Sequence, residues 1–415
     1  MNIFGGMKVK KNINKFIAFG IGLSVIVGNA VPVLAADYKG STTNVVAGAV
    51  SNNNKVLTLD KVIDAAVNND EQIKVYNSQK KYYKDMEDYY DETDDDNGED
   101  QNDINLKDVE QSKNFRVDGV EYEITNLYND ILLLQKQIEL QEIVVNNKSV
   151  ETEQYRLQQK HGLITALKLE EYEQEFQKEK DTLQNYINQE KDSEKKLTSL
   201  TKINVSEYKL NDTLQFNTFR VSGNVDDYVE ENVNIMLKYK KELIDSYKDQ
   251  LDDMEDDDLN ELDMPDKDDS KFQTVTIDKD TGEEKKDFNK TAYETACQQV
   301  LAGYKGYLEL RKGAETGEYQ IKSQEKQVKN QLRSAYSTIL DMENQMNQTI
   351  AKINTTNKNL ANIKLQYDLG LMTTYQYNKA VADSMQANIG LRKLANGYYK
   401  AATAFEKPWV ASSGQ

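Results

Sequence analysis

Apolar side chains recur at alternating steps of three and four along two long stretches of the chain. Val117, Val120, Ile124, Leu127, Ile131, Leu134 and Ile138 mark the first stretch. Leu332, Tyr336, Ile339, Met342, Met346, Ile350, Ile353, Leu360, Ile363 and Tyr367 mark the second. This spacing lays an apolar stripe along a helix that packs on a neighbour in coiled-coil fashion. The predicted helices are roughly 45 residues, on the order of 70 Å long at 1.5 Å per residue. Pro32, Pro265 and Pro408 leave the periodic segments free of proline, so an all-α framework is expected.

The two stretches are copies of one another. A gapless shift of 208 lays Tyr128 on Tyr336, Ile131 on Ile339, Leu132 on Leu340, Leu134 on Met342, Ile138 on Met346 and Val145 on Ile353. It also lays Leu157 on Leu365, Gly162 on Gly370, Leu163 on Leu371, Thr165 on Thr373 and Leu183 on Leu391. A weaker echo joins LTLDKVIDAAV from Leu57 to SGNVDDYVEENV from Ser222 at a shift of 166. The pattern is that of a tandem duplication of long antiparallel helical hairpins.

Each hairpin has a short break, HGLIT in the first and LGLMT in the second. A glycine just past a helix end adopts the left-handed backbone that other residues resist, and the next residue folds back on the last turn. Leu163 is therefore expected to pack on Leu157, and Leu371 on Leu365. Thr165 and Thr373 stand at N-cap positions, and Gln376 completes a capping box with Thr373.

Charge changes the picture between the seams. Residues 85–110 hold 13 acidic residues against Lys107 alone, and residues 249–270 hold 12 against Lys267 alone. Such runs read as solvated, self-repelling loops. Aligning Gly98 or Gly282 with the glycine of an EF-hand places Thr93 or Ile277 at the first ligand position, so neither run is a calcium loop of that type. VTIDKDTGEEKKDF carries a turn-forming Asp-Thr-Gly centre and is expected to form a short hairpin. INVSEYKLNDTLQF, between the halves, reads as an irregular connection with a short strand.

The N-terminus has the grammar of an export signal: Lys8, Lys10, Lys11 and Lys15, then an apolar run from Phe16 to Leu34, then small residues before Ala36. At about 19 residues the run also approaches the length of an uncleaved anchor. Its removal takes four lysines and no acid, moving the net charge from −18 to −22, a surface that repels nucleic acid and anionic lipid. At 38% hydrophobic and 29% charged residues, with a mean hydropathy of −0.77, the 415-residue chain has no membrane-bundle composition. Cys297 has no disulfide partner in the chain, and His161 is its one histidine. Zinc spacings, phosphate-binding glycine loops and nucleophile motifs are missing from the sequence, and no cofactor or enzymatic activity is expected.

The opening LTLDKVIDAAVNND, the duplicated helix pairs and the HGLIT and LGLMT breaks resemble the TolC-type outer-membrane efflux proteins over roughly residues 57–408. The resemblance implies a protomer of an α-helical barrel, assembled as a homotrimer. It further implies partners, a membrane-fusion adaptor and an inner-membrane pump, with Gly162, Leu163, Thr165, Gly370, Leu371 and Thr373 facing the adaptor. The implied place is the cell envelope, the outer membrane by family. Where the family inserts strand pairs, this chain carries its acidic stretches, and charge in hydrocarbon costs several kcal/mol, so little or no β-barrel is expected. Where the family's tunnel narrows on acidic residues, this chain has Gln376 and Lys379.

The expected organisation is a signal at 1–35, a polar linker at 36–56, a first repeat at 57–208 with its insertion at 85–110, and a connector at 209–221. A second repeat at 222–408 with its insertion at 249–288 follows, then a tail at 409–415. The competing reading is a secreted or envelope-associated coiled-coil scaffold that keeps the helices without transport.

Overall fold

The computed structural model describes residues 55–93, 96–212, 218–256, 260–277, 282 and 284–411. The expected signal, most of the linker and the last residues of the tail lie outside this set. The described chain is mostly helical, with four short strands and irregular connections: β1 (Val56–Leu57), α1 (Leu59–Asn69), α2 (Glu71–Thr93), α3 (Asp96–Lys160), α4 (Ala166–Thr201), β2 (Lys209–Leu210), α5 (Val225–Asp256), β3 (Gln273–Ile277), β4 (Glu284–Phe288), α6 (Lys290–Asp368) and α7 (Thr374–Glu406). Among the described residues no helix is long and apolar enough to cross a membrane.

The described residues fall into two compact units, one drawn from 55–71, 116–225 and 333–411, the other from 72–115 and 226–332. The first unit holds both hairpin turns. Its seam on α6 places Ile339, Met346, Ile353 and Leu360 seven residues apart, and all four are buried. Each such side chain withdrawn from water is worth roughly 1.5–3 kcal/mol, so the heptad spacing is the main force holding this helix to its neighbours. Val120, Ile124 and Ile131 of α3 are buried with Val62 and Ala66 of α1 and Leu197 of α4. The parallel pair β1 and β2, in register Val56 to Lys209 and Leu57 to Leu210, ties the start of the fold to the connector. Tyr128 locks that tie by donating from its hydroxyl to the Leu57 carbonyl (2.8 Å) and accepting from the Asn211 backbone N–H (2.7 Å).

The second unit contains α2, the start of α3, α5, the start of α6 and the β3–β4 hairpin. That antiparallel hairpin, with Gln273 opposite Phe288 and Ile277 opposite Glu284, is the one expected from VTIDKDTGEEKKDF. The connector likewise yields the short strand β2 after one turn of 3-10 helix at Val205–Glu207. The acidic runs depart in part from expectation: residues 260–269 are the irregular, largely exposed stretch foreseen, but the other described residues are not. Residues 85–93 and 96–110 are helical, as are residues 249–256. Aspartate and glutamate lower helix propensity by only tenths of a kcal/mol, and Leu106, Val109 and Asn102 are buried between the acids. The helices are accordingly longer than the seams predict, 65 residues for α3 and 79 for α6.

Candidate functional site

The two breaks fold into the same turn. At the first, the Gly162 N–H donates to the Gln159 carbonyl and the Leu163 N–H to the Gln158 carbonyl, both at 2.9 Å. At the second, Gly370 donates to Tyr367 (2.8 Å) and Leu371 to Gln366 (2.9 Å). This pair of bonds satisfies carbonyls that a helix end otherwise leaves open, and it requires a left-handed residue at the glycine. Gly162 and Gly370 have φ of 72° and 73°.

The N-cap of the next helix lies two residues beyond each leucine. Thr165 is the N-cap of α4 and its hydroxyl accepts from the Lys168 N–H. Thr373 caps α7 the same way through Gln376, whose side-chain oxygen accepts in return from the Thr373 N–H (3.0 Å). The capping box is thus present in the second turn, whereas the first has lysine at the corresponding place.

The leucines depart from the expected fold-back. Leu163 is 72% exposed and Leu371 75%, and Leu157 and Leu365 are exposed as well. The turn is closed by its two backbone hydrogen bonds, and the apolar side chains point to water. Leu167 at the first turn and Leu369 at the second enlarge the apolar ends. Their signal in the sequence is that they fall outside the buried seam. Gln376 and Lys379 are exposed, and Gln376 is used in the cap.

Each hairpin is braced behind its turn. In the first, the rings of Tyr155 and Tyr172 stack at 3.4 Å between centroids, and their hydrogen bond pushes the Tyr155 hydroxyl up to about 12. Lys148 bridges Glu175 (2.6 Å) and Glu151 (3.0 Å). Partial burial opposes its charge, but the two carboxylates outweigh that and hold its pKa above the ordinary lysine value. Glu175 is held below the usual carboxylate range by its hydrogen bond to Lys148. In the second hairpin, Tyr367 and Tyr377 stack at 4.7 Å.

The hairpins meet side by side. Leu140 and Ile143 of α3 pack on Leu360, Tyr377, Val381 and Met385, and Asn378 donates to the Asn147 side-chain oxygen (3.1 Å). Asn147 lies thirteen residues before the end of α3, whereas Asn378 lies four after the start of α7. The first turn therefore reaches beyond the second by about nine residues, ~13 Å at 1.5 Å per residue. Asn129 with Asn396 and Asp118 with Lys407 give the same offset. Among the described residues no group of three His, Cys, Asp or Glu side chains is placed to hold a metal ion.

No protein-family model matches the chain, and no curated protein matches it by sequence. Solved structures do. The chain is similar to the outer-membrane channel OprN (TM-score 0.53, 8% identity, over 85% of this chain and 89% of that one). It is also similar to the Campylobacter jejuni outer membrane channel CmeC (0.52, 9%, 85% of each chain) and to CusC (0.51, 9%, 90% and 95%). The shared property is the fold, the all-α hairpin architecture of TolC-type channels, which the residues around the two turns already suggested.

Proposed function

We propose that this protein is a subunit of an oligomeric α-helical tunnel in the cell envelope and docks a membrane-fusion adaptor through its two hairpin turns, by resemblance as a homotrimer working with an inner-membrane pump. The observation that carries the reading is the pair of matching turns, Gly162-Leu163-x-Thr165 and Gly370-Leu371-x-Thr373. Each is rigidly capped and presents leucines to water. Rigid caps on open apolar side chains suit a surface that a partner covers.

Light scattering of the mature protein is expected to give a trimer. Leu163→Glu and Leu371→Glu are each expected to reduce capture of a helical-hairpin adaptor at least tenfold with helicity unchanged. A stable monomer would favour the scaffold reading over the tunnel, and undiminished capture by both variants would remove the docking role.

A further inference from the structure

The second hairpin stops short of the first, and the face of α3 that it covers runs on beyond it. Ile143, Val150 and Leu157 follow one another on α3 at steps of seven, which return a helix to nearly the same side. Ile143 packs against the second hairpin, whereas Val150 and Leu157 are 41% and 58% exposed. The pairing of Asn147 with Asn378 brings Val150 level with Tyr375, at the very start of α7. Leu157 stands seven residues further along α3, ~10 Å past that level at 1.5 Å per residue. The apolar seam of α3 therefore outlasts the helix that covers it.

At the foot of this uncovered stretch lies the second turn, with Leu369 and Leu371 open to water. The two surfaces make a notch, with Val150 and Leu157 on its upright side and the two turn leucines on its floor. The upright side is stiff although it stands alone. Tyr155 and Arg156 turn instead to α4, where the first stacks on Tyr172 and the second donates to Glu173 (2.9 Å). These braces leave the notch clear.

We propose that the notch seats one helix of the adaptor hairpin, its tip on the Leu369–Leu371 turn and its stem along Val150 and Leu157, in the line that α7 vacates. The proposal rests on the docking reading and extends the docking surface from the turns to the flank of the first hairpin. The occupant follows from continuity and from access. The α3 face prolongs a seam between two helices, so what fits it is a further helix with apolar residues at heptad spacing. The long helices of the first unit are tied in the order α4, α3, α7, α6, by Gln141 with Glu179, Asn147 with Asn378 and Asn357 with Ser384. The notch thus opens between the two hairpins of one chain, away from the edge helices α4 and α6 where a lateral copy would pack. A partner enters it from the open end.

The test uses the full chain with the photo-reactive residue p-benzoylphenylalanine in place of Val150, Leu157, Leu369 or, as a control on α4, Gln177. Each is irradiated with a purified adaptor whose helical hairpin is intact, and adducts are mapped by mass spectrometry. Positions 150, 157 and 369 are expected to give adaptor adducts and position 177 none, with the adduct of 157 at least one helical turn further from the adaptor's tip than that of 369. Leu157→Glu is expected to reduce capture of the adaptor at least tenfold with circular dichroism unchanged, because Leu157 is exposed in the free chain. Undiminished capture by Leu157→Glu, where Leu371→Glu loses it, shows end-on docking and overturns the notch while the docking reading stands. Adducts from 150 or 157 to another copy of this chain overturn the adaptor as the occupant. A natural chain that captures no adaptor overturns the docking reading and the notch with it.

Discussion

Gly162 and Gly370 stand 208 residues apart and hold the same left-handed backbone, φ 72° and 73°, closed by the same two hydrogen bonds. No heavy atom lies within 4 Å of where a Cβ would sit at either position. An alanine there meets no steric neighbour, so its cost is the backbone conformation alone, about 1–2 kcal/mol. Gly162→Ala and Gly370→Ala should each destabilise their turn by that amount, and asparagine should cost less. Hydrogen exchange of the amides of Leu163 and Leu371 would report it as faster opening, and unchanged protection would remove the argument.

Arg392 and Asp212 form an ion pair across 180 residues. Arg392 is 7% exposed and its Nη1 has no acceptor, whereas Asp212 is partly open and also meets Lys136 (3.4 Å). Removing the acid strands a buried guanidinium, which costs several kcal/mol when the pair is fully enclosed. With Asp212 partly solvated, about 2–3 kcal/mol is the expected loss for Asp212→Asn. Arg392→Met removes the buried charge together with its unmet donor and should cost less than Asp212→Asn. Chemical denaturation of both variants tests the asymmetry, and equal losses would contradict it.

Ile244 reaches into the space that a side chain at position 317 would need: a Cβ on Gly317 would lie 2.2 Å from its Cδ1. Overpacking of this kind costs roughly 1–3 kcal/mol. Gly317→Ala should therefore destabilise the second unit, and adding Ile244→Val, which removes Cδ1, should recover part of the loss. A double-mutant cycle measures the coupling, and strict additivity would show that Ile244 simply swings aside.

How much of this was legible follows from what kind of signal each feature leaves. The turns at Gly162 and Gly370 are local, set by a glycine and a threonine three residues on, and the duplication printed them twice. The heptads from Leu332 to Leu360 were readable because burial on one side of a helix writes a period. The acidic runs misled because charge density reports solvation and not backbone state, and α3 buries Asn102, Leu106 and Val109 between its acids. Gly317 looks like a helix weakness, yet it admits Ile244. Arg392 with Asp212, and Asn378 with Asn147, had no signature, since nothing in a single sequence pairs residues that far apart.

Acidity offers the last prediction. Burial raises Asp108, with Lys240 opposing; burial raises Glu142 and Glu194, with Glu139 and Glu190 adding to the effect. A carboxyl raised in the folded chain binds its proton more tightly there than when unfolded, so stability grows as pH falls through its folded pKa. The gain is complete once pH is below the ordinary value near 4. Glu175, Glu318 and Asp269 are shifted the other way by hydrogen bonds to Lys148, Lys322 and the Lys271 N–H. Their contribution is lost only as pH drops through folded values that lie below the ordinary range. The two effects occupy different windows, so Tm should rise from pH 7.5 to about 5 and fall again below about 4. Relief of the overall negative charge acts in the same direction as the first effect, and Glu194→Gln, at a half-buried position, separates them. That variant starts with an uncharged side chain, so it should be more stable than the natural protein at pH 7.5 and show a smaller rise on acidification. A Tm that falls steadily from pH 7.5 to 5 would show that the raised carboxyls do not set the response.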